Sequence, residues 1–544
     1  MIPFASNDPG NGVVAFVFAS SRGVSFYFSM NQTKSPRRWV KRIALSFILL
    51  FGVVVAFLII ERVRGSLALK SRINELTARG ERLNVKDLEP AHAEAGDDAA
   101  AALLLLSNRL DAVSSLWIVA PPSGRFTEPG KQVVASRLAA WSYEKKTNGW
   151  LEVQALLAQD GALATDIHSA LQRRGWNDGC DYHNGFIDFK TGPLVMWKSL
   201  SQRLAVSALA ALEAGDTEAA VARIEDSARL VKLQTNSPLI ICQLVRIASA
   251  TIAWNATWEV VTSGKCSEPQ LARLQAAWEG MDFSTDMARA MEMERAMTLD
   301  HYNLLAESAK NRAKALEDIA SMAEFGLGSE PLAKGAGLRR IHTAVWSFAW
   351  VRQDELRSLN RWQQVIEFDR AARTNSWDSV KDGVTALDDD PGWLADALSD
   401  SKRSKMNLYD RTRFLFSGMT FSVGSQTTRK AMQAETQRRM MVVAIALRRH
   451  RIGHGKFPDH LDRLVPEFIR EVPVDLMNNK PLAYRLADKG SPLLYSVGDD
   501  GRDDGGDFSL ATATKEYRKI WDGKDAVWPS PASAEEAEKA ANKK

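Results

Sequence analysis

Apolar positions fall along this 544-residue chain in three patterns. Residues 43–60, "IALSFILLFGVVVAFLII", are eighteen in a row with neither charge nor proline. At 1.5 Å per residue they cover roughly 27 Å, about the hydrocarbon thickness of a bilayer. A core helix of that length would show a polar face; this run has none, so it is expected to span a lipid bilayer. Between 99 and 429 apolar residues recur at helical spacing, as over 99–113, 149–173, 194–213, 217–234, 237–263, 268–280 and 284–318. Period-two alternation is nearly absent until residue 480, where "PLAYRLAD" and "SPLLYSVG" alternate on either side of Lys489-Gly490, the spacing of a β-hairpin. The expected fold class is mainly α: an N-terminal transmembrane helix, a large body of helical hairpins and a small C-terminal α+β domain.

These patterns divide the chain into a tail (1–42), the span (43–60), a charged helical stalk and linker (61–98), a helical body (99–429), an α+β end domain (430–528) and a disordered tail (529–544). Met30 opens a conventional anchor, a short basic segment followed by the span, and is the expected true start. In 204–234, Gly215 supplies a left-handed helix stop and Asp216 a cap for the next helix. This stretch looks like a tetratricopeptide-type hairpin, but no 34-residue repetition flanks it, so an ordinary αα-hairpin is expected.

Charge adds a topology. Lys34, Arg37, Arg38, Lys41 and Arg42 precede the span with no acid among them, while Arg62, Arg64, Lys70 and Arg72 follow it beside Glu61. The denser basics and the short tail place the N-terminus in the cytoplasm and the body outside, as an uncleaved signal-anchor of a bacterial inner membrane. With those five basics set aside, the net charge of +4 leaves the rest near neutral, so no nucleic-acid surface is indicated. Three cysteines, Cys180, Cys242 and Cys266, lack metal-like spacing. One disulfide is possible; three unrelated buried thiols is the expected arrangement.

Candidate chemistry is sparse. Glu292 and Glu294, in "MEMERAM", could serve as paired carboxylates of an envelope hydrolase in a helical cleft. The alternative is an ion pair between packed helices, with Arg246 answering a glutamate. Five of the sixteen tryptophans lie between 346 and 393, and the one-turn spacing of Trp346 and Trp350 is that of a core stripe. His450, His454 and His460 bracket glycines rather than a two-ligand helix face, and "FGLGSEPLAKGAG" (325–337) lacks the phosphate-loop spacing.

The end domain carries the sharpest signal. A helix with an apolar stripe (Met441, Ala444, Ile445, Leu447) ends at glycine; "FPDHLDRLVPEFI" follows, with Asp459 placed to cap a short helix; then come the hairpin and "GDDGRDDGGD". Like charges crowded into one loop repel, the interleaved glycines permit sharp turns, and a hard divalent cation with oxygen ligands would relieve the repulsion. The loop is not an EF-hand, and a solvated acidic turn is the alternative. "ALRRHRIGHGKFPDHLDRLVP", "VPVDLMNNKPLAYRL" and "LLYSVGDDGRDDGGD", in this order, resemble the globular domain of type II secretion pseudopilins, chiefly the major pseudopilin. The resemblance implies a calcium site in the loop after the hairpin, with Asp500 at the family's G-x-D-G aspartate and Asp503, Asp504 and Asp507 as further ligands. No prepilin-peptidase sequence precedes Ile43 and residues 61–429 separate anchor from module, so a borrowed domain is implied rather than assembly into a pilus. The whole chain also resembles anchored bacterial envelope proteins of uncharacterised function, which imports no activity. The expected role is structural or interactive, with the bilayer and other envelope or secretion proteins as partners.

Overall fold

A computed structural model of the chain describes residues 36–94, 96–111, 116–118, 134–137, 145–183, 185–186, 190–322, 336–388, 407–417, 424–487, 490–512 and 519–529. The Met30 start, most of the 325–337 loop, Trp393 and the expected disordered tail beyond 529 lie outside the described residues.

Helix α1, Pro36–Ala78, contains the apolar run. Within it an eighteen-residue window reaches a mean hydropathy of 3.1 with no residue covered by protein, so this helix is long and apolar enough to cross a membrane. The chain divides at Arg64/Gly65 into two compact units. In the second, the end of α1 buries Leu69 and Leu76 against Leu299 and Leu359. The helical pattern predicted to about Leu88 stops ten residues early, and local chemistry explains the stop. Gly80 adopts φ +81°, its amide donates to the Thr77 carbonyl and the Glu81 amide donates to Leu76. That pairing closes a helix with a left-handed glycine and leaves only a short 3₁₀ turn, Val85–Asp87, beyond it.

Apart from these, the principal helices are α2 (Leu163–Leu171), α3 (Leu194–Glu213), α4 (Thr217–Leu233), α5 (Ile240–Thr262), α6 (Glu268–Trp278), α7 (Phe283–Glu307), α8 (Val351–Thr374) and α9 (Gly424–His454). The α3–α4 hairpin forms as expected: Gly215 sits at φ +82°, and the Asp216 carboxylate accepts the Ala219 amide at 2.9 Å. Trp346 and Trp350 are buried in a π-helical turn, Trp346–Trp350, as the stripe predicted.

Strands are few. The hairpin pairs β6 (Ala483–Leu486) with β7 (Pro492–Ser496) in the register Ala483↔Tyr495 to Leu486↔Pro492, and β8 (Ala526–Val527) adds a third strand. A two-stranded piece, β4 (Val474–Asp475) with β5 (Lys480–Pro481), precedes it. The body also holds a three-stranded antiparallel sheet, β1 (Trp117–Ile118), β2 (Val134–Arg137) and β3 (Lys145–Asn148), which alternation did not foretell. Its strands are two to four residues long and β3 is wholly polar, too short and too hydrophilic to leave a period-two apolar signal.

Helix α9 is the spine of this unit. Met440 through Leu447 are buried without interruption, so the expected one-sided stripe is in fact a helix covered all round. It contacts α5, α6 and α7, and one apolar core runs from Ile224 and Trp254 through Met441 and Ile445 to Leu482 and Leu494. Trp254 and Trp278 pack there with tilted rings 6.0 Å apart between centroids, and truncating either to alanine would cost about 3–5 kcal/mol. After α9, Gly455 takes φ +74°. Asp459 does not cap the short helix that follows; the 3₁₀ turn Leu461–Leu464 has His460 at its cap, and the Asp459 carboxylate stands 3.8 Å from Arg463.

Candidate functional site

The acidic loop is built from four positive-φ glycines and one buried acid. Gly498, Gly501, Gly505 and Gly506 have φ between +73° and +84°. At Gly506 the need is also steric, since a Cβ would stand 2.7 Å from Leu493 Cδ2. β8 brings Asp525 beneath the loop with no solvent exposure. Its Oδ2 accepts the amides of Gly506 at 2.7 Å and Asp507 at 3.1 Å, and its Oδ1 accepts that of Asp504 at 3.4 Å. A second buried acid, Asp475, accepts the Val497 amide at 3.0 Å and ties the loop's entry.

The four predicted ligands meet separate partners. Asp503 Oδ1 accepts the Tyr495 hydroxyl at 3.0 Å and the Gly505 amide at 2.9 Å. Asp507 Oδ2 lies 2.9 Å from Lys524 Nζ, and that hydrogen bond holds its pKa down at about 2. Asp500 turns its Oδ1 onto the Arg502 amide at 3.0 Å while its carbonyl receives Lys381 Nζ at 2.7 Å. Asp504 contributes its amide to Asp525 and its charge to the field around Lys524. Among the described residues, no three of these carboxylates bring oxygens within 4.8 Å of one another. Gathering a cation would require Asp503 and Asp507 to exchange the partners they hold. Asp525, a lone acid in "GKDAV", carried no signal in the sequence beyond its nearness to the loop.

The glutamates of the hydrolase alternative face different partners. Glu292 accepts Arg82 at 2.7 Å and Arg370 at 3.0 Å. Arg370 also pairs with Glu81, which receives Arg295, an arginine with no exposure, at 2.9 Å. Burial acts to raise the Glu81 pKa, but hydrogen bonds from Arg370, Gln363 and Arg295 outweigh it and hold it at about 2. Glu294 takes the Ile240 amide at 2.9 Å at the start of α5, and burial pushes its pKa up to about 7. Arg246, fully buried, is answered by an aspartate rather than a glutamate: Asp286 lies at 2.8 Å, with the Phe283 ring 4.3 Å below the guanidinium. Arg246 of α5 meets α7 at Asp286, nearly two helical turns before Glu292, so an aspartate stands where a glutamate was expected.

Two further constellations emerge. A cavity of about 320 Å³ opens between α5 and α9, lined by Trp254, Trp258, Trp521 and Trp528 with Lys430 and Lys519. Trp258 donates to the Pro529 carbonyl at 2.9 Å, and Trp521 donates to Gln437 at 3.3 Å, leaving ring faces for an apolar guest. Sequence reasoning passed it over; the one-turn spacing of Trp254 and Trp258 was its only trace. The expectation of three unrelated thiols also fails: Cys180 and Cys242 come together beside Asp178, with Cys266 apart in the main core. His450 and His454 stack at 4.2 Å, and each turns Nδ1 onto a backbone carbonyl.

No family model matches the chain, and no curated protein or solved structure matches it either.

Proposed function

We propose that this chain is a single-pass protein of the bacterial cell envelope, held in the inner membrane by α1 with its N-terminus cytoplasmic and its body exported. Its role is structural or interactive rather than catalytic, beside other envelope or secretion proteins. The observation that carries this reading is the apolar window of α1, of mean hydropathy 3.1 with none of it buried: exposed apolar surface of that length is stable only in lipid. The denser basic cluster before the span supports the direction of insertion. Glu292, tied up by Arg82 and Arg370, supports a body whose buried charges hold helices together.

Calcium belongs to this reading as a stabiliser of the 498–507 loop, on the strength of its charge density and of the pseudopilin-like order of motifs in 430–528. Asp500, Asp503, Asp504 and Asp507 would supply the oxygens. The secretion setting rests on the same resemblance.

Expression of the full chain in a bacterium, with a reporter active only outside the cytoplasm fused to the C-terminus, tests the placement. The fusion should be active and resist alkaline extraction from membranes, and deletion of residues 1–64 should abolish both. An inactive, membrane-bound fusion would reverse the orientation. Release of the full chain by alkali would remove the anchor.

A further inference from the structure

Asp178, Cys180 and Cys242 place one ligand atom each within 4.8 Å of the other two. Sixty-two positions separate the cysteines in the chain, and the fold brings them together. Asn177 and Asp178 each turn a carboxamide or carboxylate oxygen back onto a backbone amide, those of Gly179 at 3.1 Å and Cys180 at 3.0 Å. Gly179 takes φ +74° between the two ligating positions, and Gly192 packs so closely that a Cβ would stand 2.4 Å from the Asp178 carbonyl. Cys242 comes from the first turn of α5.

Two of the three groups are buried and the third partly so. Asp178 is 7% exposed and Cys242 5%. Leu239, Tyr182, Met293 and Met297 enclose it. Asp178 Oδ1 serves the Cys180 amide and the Tyr182 hydroxyl at 3.4 Å, but Asp178 Oδ2, buried, has no hydrogen-bond partner. Among the described residues no lysine or arginine forms an ion pair with Asp178. A buried carboxylate with an idle oxygen is costly unless something positive meets it, and this carboxylate lies beside two cysteine sulfurs.

We propose that Asp178, Cys180 and Cys242 form a binding site for one borderline-soft divalent cation of the zinc class. Two thiolates and a carboxylate are a donor set that zinc accepts and calcium or magnesium does not. Zinc–sulfur bonds of about 2.3 Å and zinc–oxygen bonds of about 2.0 Å set tetrahedral ligand atoms roughly 3.5–3.8 Å apart. Ligand atoms that already lie within 4.8 Å of one another therefore need to close by at most about 1 Å. On binding, the two thiols release their protons to solvent, Asp178 Oδ2 gains its missing partner, and the fourth position stays open to water.

The full-length protein in detergent, kept reduced with a phosphine, is titrated with Cd²⁺ while the thiolate-to-metal charge-transfer absorption is followed, and Zn²⁺ is then added in competition. One equivalent of cadmium should bind and be displaced by zinc. Cys180→Ser and Cys242→Ser should abolish the band, Asp178→Asn should weaken binding at least tenfold, and Cys266→Ser should leave it unchanged. Should Cys242→Ser unfold by circular dichroism, the partly buried Cys180 and the isosteric Asp178→Asn decide the matter. No band in the parent overturns the site, as does a band that survives Cys180→Ser. Undiminished binding in Asp178→Asn overturns the carboxylate's part in it. A Cys180–Cys242 disulfide in protein isolated from zinc-replete cells would show the pair to be a covalent staple instead.

Discussion

Asp525 Oδ2 accepts the Gly506 amide at 2.7 Å, so the acidic loop is organised by a carboxylate beneath it. Asp525→Ala would strand three backbone donors, costing about 2–4 kcal/mol. Chemical denaturation of the full chain should show that loss, with new proteolytic cleavage between 498 and 512. An unchanged stability and cleavage pattern would mean the loop holds itself.

Lys524 competes with any cation for Asp507. Removing it in Lys524→Ala should enlarge the rise in melting temperature on adding calcium over that of the parent, because binding to the folded state alone shifts the transition by mass action. Asp500→Ala should reduce the rise. A melting temperature indifferent to calcium and to chelator in all three proteins removes calcium from the functional reading.

Glu81 neutralises Arg295, which has no contact with solvent. Glu81→Ala should destabilise the protein by about 3–5 kcal/mol, the cost of an uncompensated buried charge. With a folded pKa of about 2 against the ordinary 4.5, Glu81 contributes stability above pH 4.5 that is lost as pH falls toward 2. The variant should therefore be less sensitive to acid than its parent between those values; identical acid transitions would refute the pairing.

Glu294 has the opposite sign. Its folded pKa, raised to about 7 from 4.5 by burial, means that the native state keeps a proton the unfolded chain has released. That stabilisation is complete below pH 4.5 and is lost as pH rises through 7, by an amount on the order of 3 kcal/mol. Glu294→Gln keeps an acceptor for the Ile240 amide and carries no charge. It should nearly match the parent at pH 4.5 and exceed its stability at pH 8 by about 3 kcal/mol. Urea midpoints at the two pH values measure this, and equal pH dependence in both proteins would discount the buried proton.

What the sequence disclosed follows the range of the physics involved. The Gly215–Asp216 turn was legible because stop and cap are each settled within five residues, by one left-handed glycine and one carboxylate reaching its own helix. The span was legible because eighteen adjacent apolar residues need no partner to declare themselves. Arg246 was recognisable as a buried cation, but its choice of Asp286 depends on how α5 and α7 register, which no local pattern encodes. Cys180 and Cys242 were read as unrelated because their meeting is set by Gly179, Gly192 and the start of α5 together. Asp525 escaped notice because one acid in a short strand approach looks like any surface charge until β8 carries it under the loop.

The late position of α9 has a consequence for biosynthesis. The faces of α5, α6 and α7 that receive Met440–Leu447 are translated well over a hundred residues before the helix that covers them. A chain that stops before this helix therefore displays a wide sticky surface. Truncations that remove Met440–Leu447 should accordingly behave as complete losses, cleared by proteases, rather than as trimmed but serviceable proteins.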